Sequence, residues 1–434
     1  MKKLMAAVCL ILGFGLSVYG QTFDSGSTGA DGAFNPPNQV PAEAQIVGDC
    51  SMAPGCAVTV PLRELPNQVY HFTTVTIGPF VTVRFTANRV NTPVLILAQG
   101  NVIVSGSINL NGRDGSPGQI PPAGGPGGFS GGLGGSGDPP AVGGAGSGPG
   151  GGGSDPCVHY GGGGGFGTPG AGCGASGGLA YGTSELQPLM GGSGGGGGHF
   201  SSGFRGANGG GGGGAILIVS STVIDLGAGA GSAVAANGGN GETIPGQYSA
   251  GGGSGGGIRL MASEIRGARG LSAVGGQGTY PGGSGRIRLE AARTLAYTGA
   301  TSPPASASKP GQMGPVFPAI TPTVRVTSIA GVAVPEPPTS DVTTPDVSLP
   351  ANFTNPVRID LIANNVPSGS RARVIVAPQY GRGYRFISAP VLLLGSAGQP
   401  KIASIEVTLP TRGTGIISAI IDSVVPEPDG SGAN

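Results

Sequence analysis

The sequence predicts an all-β protein, in which a short parallel β-solenoid with a glycine-rich, polyglycine-type side lobe precedes an immunoglobulin-like β-sandwich. Two observations carry this prediction: one apolar pattern occurs four times, and a long glycine-rich stretch separates its first copy from its second. The 92 glycines and 39 prolines of the 434 residues are concentrated between regular apolar segments. These patterns divide the chain into a signal peptide (1–20), an N-terminal segment (21–68), the first part of the solenoid with its cap (69–111), a glycine-rich insert (112–214), the second part of the solenoid (215–297), a linker (298–322), the β-sandwich (323–424) and a tail (425–434).

The repeated unit is a strand, a short turn, a second strand and a glycine corner. Its four first strands lie at residues 94–98, 216–220, 258–262 and 287–291. Their first, third and fifth positions are aliphatic or small in every copy, and this period of two is typical of a half-buried strand. The second strand of three copies ends at a glycine: Gly112, Gly238 and Gly275.

The extra length in each copy falls at one place, directly after the glycine corner. The insertions span 112–214, 238–256 and 275–285. Stacked turns of a solenoid bury their apolar faces only against their neighbours, so insertions gather at one edge of the stack. A meander or Greek key has no reason to place every insertion at the same corner.

The N-terminus has the pattern of a secretory signal peptide. Met1-Lys2-Lys3 is basic, an apolar run extends over 4–18, and small residues precede a plausible cleavage before Gln21. No later segment approaches the ~20 apolar residues that span a bilayer. We therefore expect a mature chain without a membrane-spanning segment, secreted or held at the cell surface. The net charge of +1 indicates no electrostatic attraction to nucleic acid.

The segment before the insert contains the first predicted disulfide. Cys50 and Cys56 bracket a short turn, and in an exported protein such a pair predicts a local bridge. Strands follow from residue 69, and those at 69–77 and 81–86 are expected to cap the end of the solenoid.

The glycine-rich insert leaves two alternatives open. A glycine run loses much conformational entropy on ordering, which favours disorder. Sparse aromatic residues, the pair Cys157 and Cys173, and the ability of glycine segments to pack as three-fold helices favour an ordered lobe. Cys157 and Cys173, with His159 and His199, also have the composition of a zinc site, although an oxidising compartment favours the disulfide.

The C-terminal part differs in kind from the repeats. The linker is rich in Ser, Ala and Pro, and short strands then alternate with Pro, Gly and Asn turns. The predicted strands are 323–329, 357–361, 373–377, 391–394, 402–409 and 415–421. Even spacing of short strands is typical of an immunoglobulin-type sandwich, here without the cysteine and tryptophan hallmarks.

The apparent chemical motifs are products of glycine content. Segments 191–195 and 252–256 match a nucleophile elbow, but such an elbow needs a strand-to-helix turn and a His partner. No catalytic constellation and no cofactor site is predicted. Arg259 and Arg288 share an outward column on successive turns, with Arg286 beside them, and form a candidate contact for an acidic polysaccharide. The alternative is an ordinary solvated face.

Four stretches carry a resemblance. They are Gly-Pro-Gly-Gly-Phe at 125–129, Gly-Gly-Ala-Ile-Leu-Ile at 213–218, Ala-Asn-Gly-Gly-Asn-Gly at 236–241 and Gly-Ser-Gly-Arg-Ile-Arg-Leu-Glu-Ala at 283–291. Over about residues 24–295 the chain resembles a family of uncharacterised, exported glycine-rich bacterial β-solenoid proteins, some with a C-terminal Ig-like module. The resemblance implies export and fold, and no reaction. The glycine runs also resemble the glycine-rich extracellular region of the anaplastic lymphoma kinase receptors, whose glycine helices pack in a lattice.

These observations favour an exported, non-enzymatic structural or adhesive protein that self-associates or binds extracellular polysaccharide. One alternative is a polysaccharide-binding or polysaccharide-cleaving β-helix protein. Such enzymes gather carboxylates on one face, whereas Asp225, Glu264 and Glu290 do not share a column here. The other alternative is a disordered glycine-rich matrix component.

Overall fold

The chain folds as an all-β protein with several sheets. The computed structural model describes residues 23–136, 142–154, 159–174, 176–200, 205–244, 249–318, 322–339, 344–378, 385–396, 398–410 and 413–422. These described residues contain strands, turns and extended segments and no helix, so none of them supplies a helix that could cross a membrane.

The strands have the following bounds. The first fifteen are β1 (Gln45–Gly48), β2 (Cys56–Pro61), β3 (Val69–Phe72), β4 (Val75–Ile77), β5 (Val81–Thr86), β6 (Val94–Ala98), β7 (Val102–Val104), β8 (Ser107–Asn109), β9 (Ala215–Asp225), β10 (Ser232–Ala235), β11 (Gly257–Gly267), β12 (Gly270–Ser272), β13 (Arg286–Tyr297), β14 (Thr301–Ser302) and β15 (Ser306–Ala307). The others are β16 (Thr323–Ile329), β17 (Val332–Ala333), β18 (Val357–Asn364), β19 (Arg371–Pro378), β20 (Phe386–Ile387), β21 (Val391–Leu392), β22 (Lys401–Val407) and β23 (Gly415–Asp422).

The first sheet has the order β1-β2-β5-β8-β10-β12-β14 and is parallel from β2 onward. One apolar residue from each inner strand lies in register with the next, which gives a buried ladder. Its members are Val58, Val83, Ile108, Val234 and Leu271, each at most 1% exposed. This ladder explains why β-branched and aliphatic residues alternate with polar ones along these strands.

The second sheet contains the four predicted copies side by side. Its order is β15-β13-β11-β9-β6-β3, with β4 and β7 paired beside it, and all these pairings are parallel. Ile216 pairs with both Val94 and Ile258, and Ile258 pairs with Ile287. The register confirms the predicted alignment of the copies. The apolar inner residues of both sheets form one buried cluster.

Three details differ from the predictions for this region. β9, β11 and β13 extend beyond the predicted five-residue strands, with a register shift near Ala262, while the predicted second strands are present as β8, β10 and β12. The predicted capping strand β5 lies inside its sheet between β2 and β8, and antiparallel β1 forms that edge instead. The segment predicted as a linker adds β14 and β15 to the sheets, because its Thr and Ser residues extend the parallel ladders of β12 and β13.

The C-terminal part consists of two antiparallel sheets. One has the order β17-β16-β18-β22, and the other contains β20, β19 and β21, with β23 also paired to β19. A separate apolar cluster lies between them, with Ile359, Leu361 and Val374 at most 1% exposed. The predicted strands of this region are all present, with bounds shifted by a few residues.

Candidate functional site

The described residues of the glycine-rich insert include extended segments that hydrogen-bond through their backbones at intervals of three residues. Amides of the segment 192–198 donate to carbonyls of the segment 207–213. The bonds run from Gly192 to Gly213 (2.8 Å), from Gly195 to Gly210 (2.9 Å) and from Gly198 to Ala207 (2.9 Å). Each step of three along one segment matches a step of three back along the other, so the two segments are antiparallel.

The other amides of the same segment face different neighbours. Gly194 and Gly197 donate to Ser147 (3.1 Å) and Gly144 (2.8 Å), again three residues apart, while Gly196 donates to Gly162 (2.8 Å). The amides of successive residues therefore donate to carbonyls of three different neighbouring segments in turn. This is the geometry of an extended helix with three residues per turn.

The hydrogen bonds join all three insertions into one body. Gly210 and Gly213 donate to Gly251 (3.0 Å) and Ser254 (2.8 Å) of the second insertion. The second insertion donates in turn to the third, from Gly252 to Tyr280 (3.0 Å) and from Gly255 to Gly283 (3.0 Å). We use the name glycine lattice for the described residues of 112–214, 238–256 and 275–285 together.

Only glycine fits at most lattice positions, because the neighbouring backbones approach too closely for a Cβ atom. A Cβ on Gly195 would lie 2.2 Å from the carbonyl oxygen of Gly251, and one on Gly210 would lie 1.9 Å from that of Gly239. Real Cβ atoms do not approach oxygen this closely. The glycine α-hydrogens face the carbonyls instead, as in other closely packed extended backbones.

The two serines of the segments that match a nucleophile elbow form hydrogen bonds inside the glycine lattice. Ser193 and Ser254 are both fully buried. The Ser193 hydroxyl donates to Tyr181 Oη (3.0 Å), which donates to the Gly191 carbonyl (2.5 Å), and Ser254 Oγ accepts from the Ser193 amide (2.8 Å). Burial raises the pKa of Tyr181 far above its ordinary value. These hydroxyls are structural hydrogen-bonding groups rather than accessible nucleophiles.

An Asx ladder follows the glycine corner from layer to layer. Asn111 Oδ1 accepts from the amide of Asn237 (2.8 Å), and Asn237 Oδ1 accepts from the amide of Val274 (3.0 Å). Three residues further along, Asp114 and Asn240 repeat the arrangement, with Asn240 Oδ1 accepting from the amide of Gln277 (2.8 Å). The spacing of these Asx residues, one before and one two residues after Gly112 and Gly238, is a sequence signal that the predictions did not use.

A carboxylate is enclosed where the insertions meet. Glu242 is 9% exposed, and its carboxylate accepts hydrogen bonds from Arg205 Nη1 (2.8 Å) and from the amide of Asn208 (3.0 Å). Burial alone would raise the pKa of Glu242, but the hydrogen bonds from Arg205 and Asn208 lower it below its ordinary value. This carboxylate therefore stays ionised and ties two insertions together.

The predicted cysteine pairs have different outcomes. Cys50 and Cys56 are joined in a disulfide with their Cα atoms 4.7 Å apart, at the turn between β1 and β2. Cys173 belongs to a disulfide, whereas Cys157 lies outside the described residues, so the pairing of Cys157 with Cys173 stays a prediction. The rings of His159 and His199 are 4.8 Å apart, and no group of three or more metal-ligating side chains occurs among the described residues.

The arginine column is not an exposed basic ladder: the outward exposure expected for Arg259 was wrong, whereas a polysaccharide contact through Arg286 and Arg288 is not tested and stays a prediction. Arg259 and Arg288 do pair across β11 and β13, but Arg259 is only 2% exposed. Its Nε donates to Glu290 Oε1 (2.9 Å) and its Nη2 donates to the Pro315 carbonyl (3.0 Å), while Glu290 Oε2 accepts from the Gly314 amide (2.6 Å). An acidic polysaccharide therefore cannot reach the guanidinium of Arg259.

The other two arginines of the column are also engaged. Arg288 Nε lies 3.6 Å from the same carboxylate oxygen of Glu290, and its side chain is 15% exposed. Arg286 points to the lattice, where Nη2 donates to the Tyr181 carbonyl (3.0 Å) and the guanidinium lies 5.7 Å from the Phe166 ring centre.

Apolar residues on the outward face of the second sheet explain why other segments of the chain cover that face. Leu97, Leu217, Val219 and Met261 form a second buried cluster on the outward side of the sheet, packed against Leu189, Met313 and Val316. A parallel sheet is normally covered on both faces. The outward leucines and methionine are a sequence signal for this cover that the prediction of half-buried strands does not use.

No protein-family model, curated protein or solved structure matches the chain. The chemistry of the described residues thus carries the functional argument.

Proposed function

We propose that the protein is an exported, non-enzymatic structural or adhesive component of the cell surface or extracellular space. In this proposal the two parallel sheets form the walls of a short β-solenoid. The glycine lattice is its side lobe, and the C-terminal sheets form an Ig-like display module. The partner is a second copy of the chain or an extracellular polymer.

The observation that carries the proposal is the glycine lattice. It joins three insertions through backbone hydrogen bonds at three-residue intervals, and the side chains of Ser193, Ser254, Tyr181 and Glu242 bond within it. A body of this kind resists deformation and presents few reactive groups. These properties suit a scaffold better than an enzyme.

The polysaccharide alternative rested on the predicted β-helix architecture, with the arginine column as its candidate contact. Since Arg259 is buried in an ion pair with Glu290, that column offers no continuous basic surface. We therefore keep the structural or adhesive role as the single proposed function.

Surface attachment of cells tests this proposal. Cells producing the native protein should attach to a surface or to each other more than cells without it. The Gly195→Ala variant should abolish this gain because the new Cβ would meet the Gly251 carbonyl at 2.2 Å. The matched Gly153→Ala variant should retain it, since the closest atom to its Cβ would be 3.6 Å away.

Hydrolysis assays supply the contradicting outcome. The purified protein is incubated with acidic and neutral polysaccharides, and new reducing ends are measured. We expect none. Cleavage products that depend on the intact lattice would overturn the non-enzymatic role.

A further inference from the structure

The first sheet begins at β1, and this end of the sheet is apolar and exposed. All four residues of β1 are exposed, and Val47 retains 73% of its accessible surface. Ile46, Met52 and Phe80 are also exposed. The loop that carries Met52 ends at Cys56, whose amide donates to the Phe80 carbonyl (2.9 Å), so these side chains lie at the same end of the sheet. An exposed apolar patch of this kind often marks an interaction surface.

The backbone of β1 also has a free edge among the described residues. The Cys56 amide points towards β5, so the next residue, Ala57, faces β1 and bonds to its partner Val47. Backbone groups of neighbouring strand residues point to opposite edges, and the amide and carbonyl of Ile46 therefore point away from the sheet. β1 contains no lysine, proline or other residue that commonly protects an edge strand. We use the name leading end for β1, Met52 and Phe80 together.

Strands β14 and β15 form the opposite ends of the two parallel sheets, and each has a single neighbour among the described strands. The Ser308 amide donates to the Leu289 carbonyl (3.1 Å), so the backbone groups of Ala307 point outward. Pro303 follows β14 directly, which limits the number of backbone bonds that this edge can make. Other exposed residues here are small: Ala296, Ala300 and Pro304. We use the name trailing end for β14, β15 and the exposed residues of 293–309.

The leading end carries negative charge. Glu43 and Asp49 flank β1 on either side, and both are exposed. Arg63 offsets this charge only in part, because it lies 2.8 Å from Asp31 and 3.9 Å from Glu43. The exposed apolar patch is therefore bordered by carboxylates.

The trailing end carries positive charge. Arg293 and Lys309 are exposed, and neither forms an ion pair within the part of the chain that the structure describes. Residues 291–318 contain no carboxylate. Glu185 approaches this end through Ser184, which accepts from Ser306 (3.1 Å), but the charge of Arg288 acts on it. The charges of the two ends are thus complementary.

We propose that the leading end of one copy of the protein binds the trailing end of a second copy. Both ends belong to one sheet whose strands lie about 4.8 Å apart, so β14 of one copy can continue the sheet at β1 of the next. Val47 and Phe80 then pack on the small residues of the trailing end, while the carboxylates face its cations. Because the two surfaces differ, the contact does not close on itself, and copies add end to end. The inference rests on the proposed structural role, of which it names the partner.

Sedimentation velocity of the purified protein tests this contact. We expect the mean size to rise with protein concentration and not to stop at a dimer. Val47→Lys removes an apolar contact and sets a cation against the basic trailing end, so it should weaken association at least about tenfold. The matched Val332→Lys variant, also at an exposed valine but on β17, should associate like the native protein.

A mixing experiment distinguishes this contact from a symmetric one. The double variant Arg293→Glu with Lys309→Glu reverses the charge of the trailing end alone and should also be monomeric. Mixed with Val47→Lys, it supplies the intact leading end and Val47→Lys supplies the intact trailing end. We therefore expect the mixture to form a dimer that grows no further. Circular dichroism and thermal unfolding establish that each variant is folded.

Four results would overturn the proposal: a native protein that stays monomeric at all concentrations, native association in Val47→Lys, a mixture that stays monomeric, or dimers of the Arg293→Glu, Lys309→Glu variant alone. The last result would indicate pairing of β1 with β1 of the second copy. Attachment of cells is measured separately from association in solution. Attachment by a protein that stays monomeric would retain the structural role and overturn only the end-to-end contact.

Discussion

Arg259 and Glu290 form a buried ion pair with side chains 3% and 1% exposed. Two charges taken out of water are stable only when each is well paired and hydrogen-bonded. Here the carboxylate also accepts from the Gly314 amide, and the guanidinium also donates to Pro315 and Val316. The pair thus fastens residues 311–316 to the outward face of the second sheet.

Removing one partner of this pair should lower the free energy of unfolding. Glu290→Ala leaves the guanidinium buried without its carboxylate, and we expect the free energy of unfolding to fall by about 3–5 kcal/mol. Urea denaturation measures this change. The control Glu264→Ala removes a half-exposed carboxylate beside Arg266, and we expect it to cost less than about 1 kcal/mol.

A double variant separates the pair from general damage at the site. Arg259→Met combined with Glu290→Leu replaces both charges by apolar groups, and such replacements are often neutral. We expect it to recover most of the stability that Glu290→Ala loses. A double variant as unstable as the single one would contradict the ion-pair explanation.

Asp360 predicts a pH dependence of the C-terminal sheets. Hydrogen bonds from Ser328, Ser404 and Arg358 lower the pKa of Asp360 from 3.8 to about 2. Because the folded pKa lies below the unfolded one, the ionised carboxylate stabilises the fold above about pH 4, and this contribution is lost as the pH falls towards 2. Asp360→Asn should therefore flatten the dependence of stability on pH in that window.

The measurement is the urea midpoint of unfolding between pH 2 and 5. Glu406→Gln, an exposed carboxylate on β22, serves as the control and should keep the native slope. If the urea midpoint of Asp360→Asn changed with pH as steeply as that of the native protein, the three hydrogen bonds would not favour the ionised form of Asp360.

At the scale of the element, the extended glycine segment replaces the strand as the structural unit. A β-strand bonds to two neighbours in one plane, whereas the segment 192–198 bonds to neighbours in several directions at three-residue intervals. Side chains would occupy the space between these segments. Glycine is thus required at these positions by the close approach of the backbones rather than by a need for flexibility.

Alanine substitution at lattice positions tests this requirement. Gly195→Ala forces backbones apart, and we expect a loss of at least about 1–3 kcal/mol in stability. Gly153→Ala meets only ordinary contacts and should be neutral or slightly stabilising, since alanine restricts the unfolded chain. Thermal unfolding distinguishes the two variants. Equal effects would show that the lattice does not depend on close backbone contacts.

At the scale of the whole molecule, the three insertions meet in a single lattice that continues from the parallel sheets. Arg205 lies within it, bound to the carboxylate of Glu242. Arg89, by contrast, is exposed at a turn between strands β5 and β6. The two arginines therefore differ in their expected accessibility to trypsin, although both lie outside regular strands.

Limited proteolysis with trypsin uses this difference. We expect early cleavage after Arg89 in all conditions, and resistance after Arg205 in the oxidised protein that is lost on reduction of the disulfide containing Cys173. Mass spectrometry of the fragments identifies the sites. Immediate cleavage after Arg205 with intact parallel sheets would favour a disordered insert and move the display role to the C-terminal sheets.

The sequence by itself determined the repeats. A period of two in the apolar residues is a local property, so it predicted the all-β class, the four aligned strands and most strands of the C-terminal sheets. The place of the insertions could be read for the same reason, since each follows a glycine corner in its own copy. The Cys50–Cys56 bridge could be predicted from two cysteines close together in a chain that is expected to be exported.

Only the tertiary structure decided which outward faces are covered and what the glycines contact. Arg259 is buried by residues more than 50 positions away, and Asn111 bonds to a residue 126 positions away. Such contacts leave little local signal, because a side chain that packs against a distant segment looks in sequence like one that faces water. The insertions lie beside one another because the parallel strands next to them pair in register, and pairing between strands distant in sequence is a property of the whole chain.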